Sequence, residues 1–295
     1  MSTSPGPEAQ PEPARGPAQR VLLAFAGMTG GGPPPSAVRR VVEGRVVVVT
    51  GASRGIGAEV AWRAAACGAE VVLVARGVED LTTVAGRIRR TGGRARVLVA
   101  DLRDTDAAGR AGETVLADHG TPVVLLQGAG HSIHRSLAAT TDRFHDVRRL
   151  AGVNYLGPVA LALPLLAAMR DVGSGHLIAL SSASALVPAP GWSSYGASKA
   201  AHDAWLRSVH AELSPDGVAT TTIRLPLVHT AMSAPTYAGR AGMSVADAAD
   251  WVCRAIVERP RTITPWWIRL GAHVALAAPG LTERAAGSSS PRPPS

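Results

Sequence analysis

From residue 45 onward, short apolar runs alternate with alanine-rich or amphipathic stretches. Val46–Val49 is unbroken, apolar and β-branched, the pattern of a strand buried on both faces of a parallel sheet. Five further runs read as strands: Glu70–Ala75, Arg96–Ala100, Pro122–Gln127, His176–Ser181 and Val218–Leu225. Between them the spacing predicts helices at Ala58–Ala66, Val78–Arg90, Asp104–His119, Asp142–Met169 and Ser194–Leu213. Pro158 and Pro164 should kink or divide the fourth of these. Strand–helix units joined by short links imply a single α/β domain, a doubly wound parallel sheet with helices on both faces. Ligands of such folds bind beyond the carboxyl ends of the strands.

Residues 1–40 are rich in Pro, Gly, Ala and Ser and include Pro33-Pro34-Pro35. They are expected to form a disordered extension, with the domain at 41–280 and a disordered tail at 281–295. Val21–Ala26 follows Arg20, but as a secretory signal its apolar core is short and sits late. At 46% hydrophobic residues, the 295-residue chain can bury a substantial core, and no apolar run approaches a bilayer span. Cys67 and Cys253 offer no disulfide framework and suit a reducing, cytoplasmic compartment. The net charge of +8 comes from scattered arginines rather than a basic run, so no nucleic-acid partner is expected. The charge suits an anionic cofactor instead.

The candidate chemistry begins at Thr50-Gly51-Ala52-Ser53-Arg54-Gly55-Ile56-Gly57, between the first strand and first helix. Glycines at such a turn let backbone N–H groups and a helix N-terminus approach a phosphate. The spacing Thr-Gly-x-x-x-Gly-x-Gly resembles the cofactor loop of the short-chain dehydrogenase/reductase family. Further along, Tyr195-Gly-Ala-Ser-Lys199 puts a phenol and an ammonium one helical turn apart. A unit charge at ~4 Å in an effective dielectric of ~20 contributes roughly 4 kcal/mol, about three pKa units. Lys199 could thus bring Tyr195 toward working pH as general acid or base. Ser182 lies 13 residues before Tyr195, where the family places a serine on the substrate oxygen; Ser181 and Ser184 are rivals. Asn154 matches the family asparagine that organises a proton relay to the lysine. Lys199 is the only lysine among 30 basic residues, and Asn154 the only asparagine in the chain. A composition that otherwise avoids both types retains them at the positions the resemblance marks.

The resemblance implies a Rossmann-like NAD(P)-binding domain over about residues 41–260. Its cofactor contacts would come from Gly51, Ser53, Arg54, Gly55, Ile56, Gly57, Arg76, Asp101, Leu102, Ala129, Gly130, Tyr195, Lys199, Pro226, Val228 and Thr230. Arg76 stands after the second strand where an acid would favour NAD(H). Together with Arg54 it favours the 2′-phosphate of NADP(H). Two departures stand out. Gln127-Gly128 replaces the usual Asn-Asn, which removes the expected strand bracing. Leu227 replaces a glycine after Pro226, which costs the turn its freest residue.

Leu225–Thr236, Ser132–Ser136 and Asp142–Asp146 also resemble the reductase domain of bacterial fatty acyl-CoA reductases. This implies a small-molecule carbonyl or alcohol substrate of apolar, lipid-like character. Trp266-Trp267-Ile268 and Val274–Ala278 would cover such a ligand, touch a membrane surface peripherally, or form a final helix packed on the core or a neighbouring subunit. Packing is the favoured reading, and Tyr155 is likewise assigned to packing. No metal is expected: His131, His134 and His145 lack a completing ligand set. A homodimer or homotetramer follows from the family's use of its two long central helices. Two other readings remain. A sugar-nucleotide epimerase or dehydratase also uses Tyr-x-x-x-Lys, but the glycine spacing differs. A non-enzymatic nucleotide-binding scaffold is allowed by Gln127-Gly128, but it leaves the Asn-Ser-Tyr-Lys set without a use.

Overall fold

A computed structural model describes residues 31–233 and 241–288. All six expected strands form: β1 (Val46–Thr50), β2 (Glu70–Ala75), β3 (Arg94–Val99), β4 (Val124–Gln127), β5 (Gly175–Ser182) and β6 (Val218–Leu225). A short β7 (Thr262–Ile263) joins them in one sheet of order β3-β2-β1-β4-β5-β6-β7, and every pair is parallel.

The helices are α1 (Pro35–Val42), α2 (Gly55–Ala66), α3 (Val78–Arg90), α4 (Thr105–His119), α5 (Phe144–Ala151), α6 (Gly157–Asp171), α7 (Ser193–Leu213), α8 (Val245–Glu258), α9 (Trp266–Ala277) and α10 (Pro279–Ser288). Residues of β1 alternate between the two faces of the sheet. Val47 and Val49 join the core built on α1, α2, α3 and α8, and Val48 joins the one built on α4, α6 and α7. The valine runs are therefore continuous because both faces are covered.

Three expectations change at the margins. Residues 35–40, assigned to the extension, lie in α1, where Pro35 opens the helix and Ala37 and Val38 are buried. Residues 281–288, assigned to the tail, continue α10. The stretch 142–169 is not simply broken by its prolines. Phe144–Asp171 runs on as one apolar rod, half buried, with a π turn at Gly152–Leu156 between α5 and α6. Pro158 has no N–H to give the Asn154 carbonyl, so the α ladder cannot pass unchanged through this point. The wider turn absorbs the mismatch. Pro164 sits within α6 without dividing it.

The chain order reverses between β1 and β4, which opens a crevice at the carboxyl edge of the sheet. The glycine turn, Gly128–Gly130, the end of β5 and the start of α7 all meet there.

Candidate active site

The turn after β1 is closed by glycine. At Gly51 (φ +69°) a Cβ would lie 2.7 Å from the Ala129 nitrogen, and at Gly57 it would overlap the Gly51 carbonyl. Gly55 has φ +57° and opens α2. No side chain caps that helix, so its first N–H groups remain for an incoming acceptor. Ser53 and Ile56 are half-buried in the same turn, and Arg54 is exposed. Thr230, from the segment after β6, lies across it: its Cγ2 is 3.6 Å from where a Gly55 Cβ would be. An uncapped helix end beneath a glycine bend fits the pyrophosphate of a dinucleotide.

Guanidiniums surround this edge. Arg54 makes an exposed ion pair with Asp80 at 3.5 Å. Asp101 is engaged by Arg103, with Nε 2.9 Å from Oδ2. That contact, ahead of the charge of Arg76, holds the Asp101 carboxyl below its ordinary range. Leu102 is buried behind it. His131 is held below its usual value by burial first, then by Arg149, Arg76 and Arg103. The field here favours an anion.

Three elements, the π turn, β5 and α7, carry the expected catalytic residues. Asn154, in the π turn, is buried. Its Oδ1 accepts from the His131 N–H at 2.9 Å, and its Nδ2 donates to the His131 carbonyl and to Ser198 Oγ, each at 2.9 Å. Ser198 in turn donates to the Tyr195 carbonyl at 2.7 Å. Lys199 is buried and donates to the Leu180 carbonyl of β5 at 2.9 Å. Burial lowers it to about 8, with Asp203 opposing, so the ammonium still predominates at neutral pH. A Cβ on Gly130 would stand 3.4 Å from Lys199 Nζ and 3.2 Å from Asn154 Oδ1. Only a bare backbone leaves that space open.

Ser182 ends β5 half-buried; its Oγ is 3.0 Å from Ser184 Oγ and accepts from the Ser184 N–H at 3.3 Å. Ser181 is buried in register with Arg224 on β6, which separates it from Ser182 by strand alternation. Tyr195 is half-buried, and the Trp192 ring meets it edge-on at 5.7 Å. His134 packs on Trp192 at 4.9 Å. A groove of about 280 Å³ opens alongside, lined by Ser184, Leu186, Val187, Trp192 and Ala200. Gly271 of α9 approaches Val187. Trp266, Leu270 and Val274 of the same helix are exposed, while Ile268 is buried.

Both departures find a physical explanation. Gln127 Nε2 donates to the Pro158 carbonyl at 2.7 Å, and Thr50 Oγ1 accepts from the Ala129 N–H at 3.2 Å. The bracing between β1, β4 and the π turn is therefore kept by other residues. Leu227 needs no glycine: among the described residues Arg259 is the only non-glycine with positive φ. Its segment is pinned instead by a bridge between Val228 and Met243, with Met243 N donating to the Leu227 carbonyl at 2.8 Å. Pro226 is half-buried at its start. Ala234, Pro235 and Thr236 lie outside the described residues.

Ser198, Trp192 and Asp203 were not singled out from the sequence. Ser198 was visible beside Lys199, but only its burial against Asn154 gives it meaning. Of the three histidines weighed for a metal, His131 bonds Asn154, His134 packs at a tilt on Trp192, and His145 faces Asp146 at 3.4 Å. Tyr155 packs near His202, with ring centroids 6.5 Å apart.

A family model described as short chain dehydrogenase matches residues 45–241. A fatty acyl-CoA reductase of Acinetobacter baylyi is 40% identical over 245 residues, 82% of this chain and 83% of its own. A fatty acyl-CoA reductase of Mycobacterium tuberculosis is 40% identical over 225 residues, covering 75% and 76%. Among solved structures, a metagenomic short-chain oxidoreductase in complex with NADP is 30% identical with a TM-score of 0.67, over 76% of this chain and 97% of that one. A 3-oxoacyl-(acyl-carrier-protein) reductase from Agrobacterium tumefaciens with NADP bound is 26% identical with a TM-score of 0.68, over 74% and 90%.

Proposed function

This chain belongs to the short-chain dehydrogenase/reductase family, and from that premise we propose that it is an NADP(H)-dependent oxidoreductase interconverting a carbonyl and a hydroxyl on an apolar, lipid-like substrate. The observation that carries the reading is the hydrogen-bonded set Asn154–Ser198–Tyr195 carbonyl, with Lys199 bonded to Leu180, at the carboxyl edge of β4 and β5. It meets the uncapped glycine turn across Gly130.

When bound, the reduced nicotinamide cofactor supplies the hydride. Gly51, Ser53, Gly55, Ile56 and Gly57 would hold its pyrophosphate, and Ala129, Gly130, Pro226, Val228 and Thr230 would line its nicotinamide half. Arg54 and Arg76 would meet the 2′-phosphate, and Asp101 and Leu102 would border the adenine. Ser182 Oγ donates a hydrogen bond to the substrate oxygen and orients it. Tyr195 donates its phenolic proton to that oxygen as negative charge develops. The Lys199 ammonium lowers the cost of the phenolate left behind, and the Asn154–Ser198 bond holds the first turns of α7 against the π turn.

For the substrate, the support is the 40% identity to fatty acyl-CoA reductases over most of both chains, together with the apolar groove beside Trp192. The buried, unpaired thiols of Cys67 and Cys253 support a cytoplasmic setting. Exposed Leu156 and Leu163 on the long α5–α6 rod support a homodimer or homotetramer formed there, which light scattering tests. NADPH oxidation measured against long-chain acyl-CoA, long-chain aldehydes and short ketones tests the activity. Turnover of the long-chain aldehydes with NADPH is expected, and of the acyl-CoA only with release of the CoA thiol; turnover with none of the panel would overturn the reading.

A further inference from the structure

Behind Lys199 lies a buried ion pair that neither the fold nor the hydride chemistry obviously requires. Asp203 follows Lys199 by one turn on α7 and is buried with it. Its Oδ2 accepts a 2.8 Å bond from Arg224 Nε of β6. Arg224 Nη1 reaches Thr264 Oγ1 at 3.3 Å. Asp203 Oδ1 is buried without a hydrogen-bond partner among the described residues. A carboxylate held this way is expensive to desolvate, and apolar replacement of such pairs is often neutral or stabilising. Stability alone is thus a weak reason for its presence.

Resting on the reading of Lys199 as the group that charges the Tyr195 site, we propose that Asp203, fixed by Arg224, is a positioning residue for the reaction: its carboxylate keeps the buried Lys199 ammonium in the charged form. Of the other titratable groups around this ammonium, His202 on α7 feels its charge and Tyr195 lies one turn before it on the same helix; His131 and Arg224 bond Asn154 and Asp203 beside it, and Tyr155 of the π turn packs near His202. Asp203 is the only carboxylate among these groups. Burial, then Lys199 itself, holds His202 down to about 3, and burial with three guanidiniums holds His131 below its ordinary value. Asp203 opposes the effect of burial on Lys199. Without it, Lys199 would lose its proton near neutral pH. The neutral amine would still donate to the Leu180 carbonyl, but it would no longer acidify the phenol.

Because Lys199 is the only lysine, protein labelled with ¹³Cε-lysine gives a single side-chain resonance whose shift follows this one proton. In the wild type the inflection should fall near 8. In Asp203→Asn it should drop by roughly one to two pH units. The double variant Asp203→Leu/Arg224→Met removes both charges without leaving one unpaired, and its inflection should stay low. An unmoved inflection in Asp203→Asn would overturn the proposal. So would a return to the wild-type value in the double variant, which would trace the effect to the unpaired guanidinium. If the single variant does not fold, the double variant alone decides. The titration needs no substrate, so an inactive wild type would sink the proposed function without touching it. With an active wild type, an unmoved inflection would sink only the role of Asp203.

Discussion

Gln127 Nε2 donates to the Pro158 carbonyl at 2.7 Å and ties the end of β4 to the start of α6. The bond explains how the chain dispenses with the asparagine its family uses there. It also fixes the π turn that presents Asn154. Replacing Gln127 by alanine deletes this buried hydrogen bond and the packing of its side chain, and should cost about 1–3 kcal/mol, read as a lower urea midpoint. Asparagine, one methylene shorter, should restore little of it.

Arg76 directly follows β2 at the edge where an adenosine ribose would lie, and Arg54 stands in the glycine turn. Arg76→Ala should weaken NADPH binding roughly 10- to 100-fold while leaving NADH binding nearly unchanged. Dissociation constants from titration of cofactor fluorescence check this. Equal loss for both cofactors would show that Arg76 does not read the 2′-phosphate.

Gly191 has φ +80°, and a Cβ there would lie 2.5 Å from His134 Nε2. His134 packs on Trp192, which packs on Tyr195. Gly191→Ala should therefore cost about 1–3 kcal/mol in backbone strain. By displacing Trp192 it should also lower kcat/KM about tenfold or more. Steady-state kinetics alongside a melting curve separate the two effects.

Acid should unfold the protein through two histidines. His176, bonded to Thr221 at 2.8 Å, and His202, stacked on Trp205, are both buried and held down to about 3. Their folded pKa values lie below the unfolded value near 6.5, so the unfolded chain binds more protons between pH 6.5 and 3. Stability is complete above pH 6.5 and falls as pH drops through that window, by about 2–3 kcal/mol per histidine at pH 4.5. Urea midpoints from pH 7 to 4.5 measure it, and His176→Gln should flatten the slope.

The sheet was legible because Val46–Val49 and the other inner strands are buried on both faces, a pattern carried within four to eight residues, while the exposed edge strand β3 was legible from its short apolar run alone. The glycine turn was legible because its backbone admits no Cβ. Contacts between distant segments were not. The reach of Gln127 to Pro158 spans 31 residues, and residue types at one end say nothing of the carbonyl at the other. The π turn lies where Pro158 has no N–H to give the Asn154 carbonyl, whereas the sequence pattern suggested a kink or a division of the helix. Helix α8 went unread although Ser244 and Asp247 form its capping box. Leu227 seemed a loss because a family glycine was missing, yet its backbone never enters the region that requires one.

The most direct measurement is single-turnover oxidation of NADPH by a long-chain aldehyde, wild type against Tyr195→Phe. Removing one hydroxyl from the half-buried ring should slow the step by about 10²- to 10⁴-fold while NADPH affinity stays within twofold. An unchanged rate in Tyr195→Phe would contradict proton transfer from this residue.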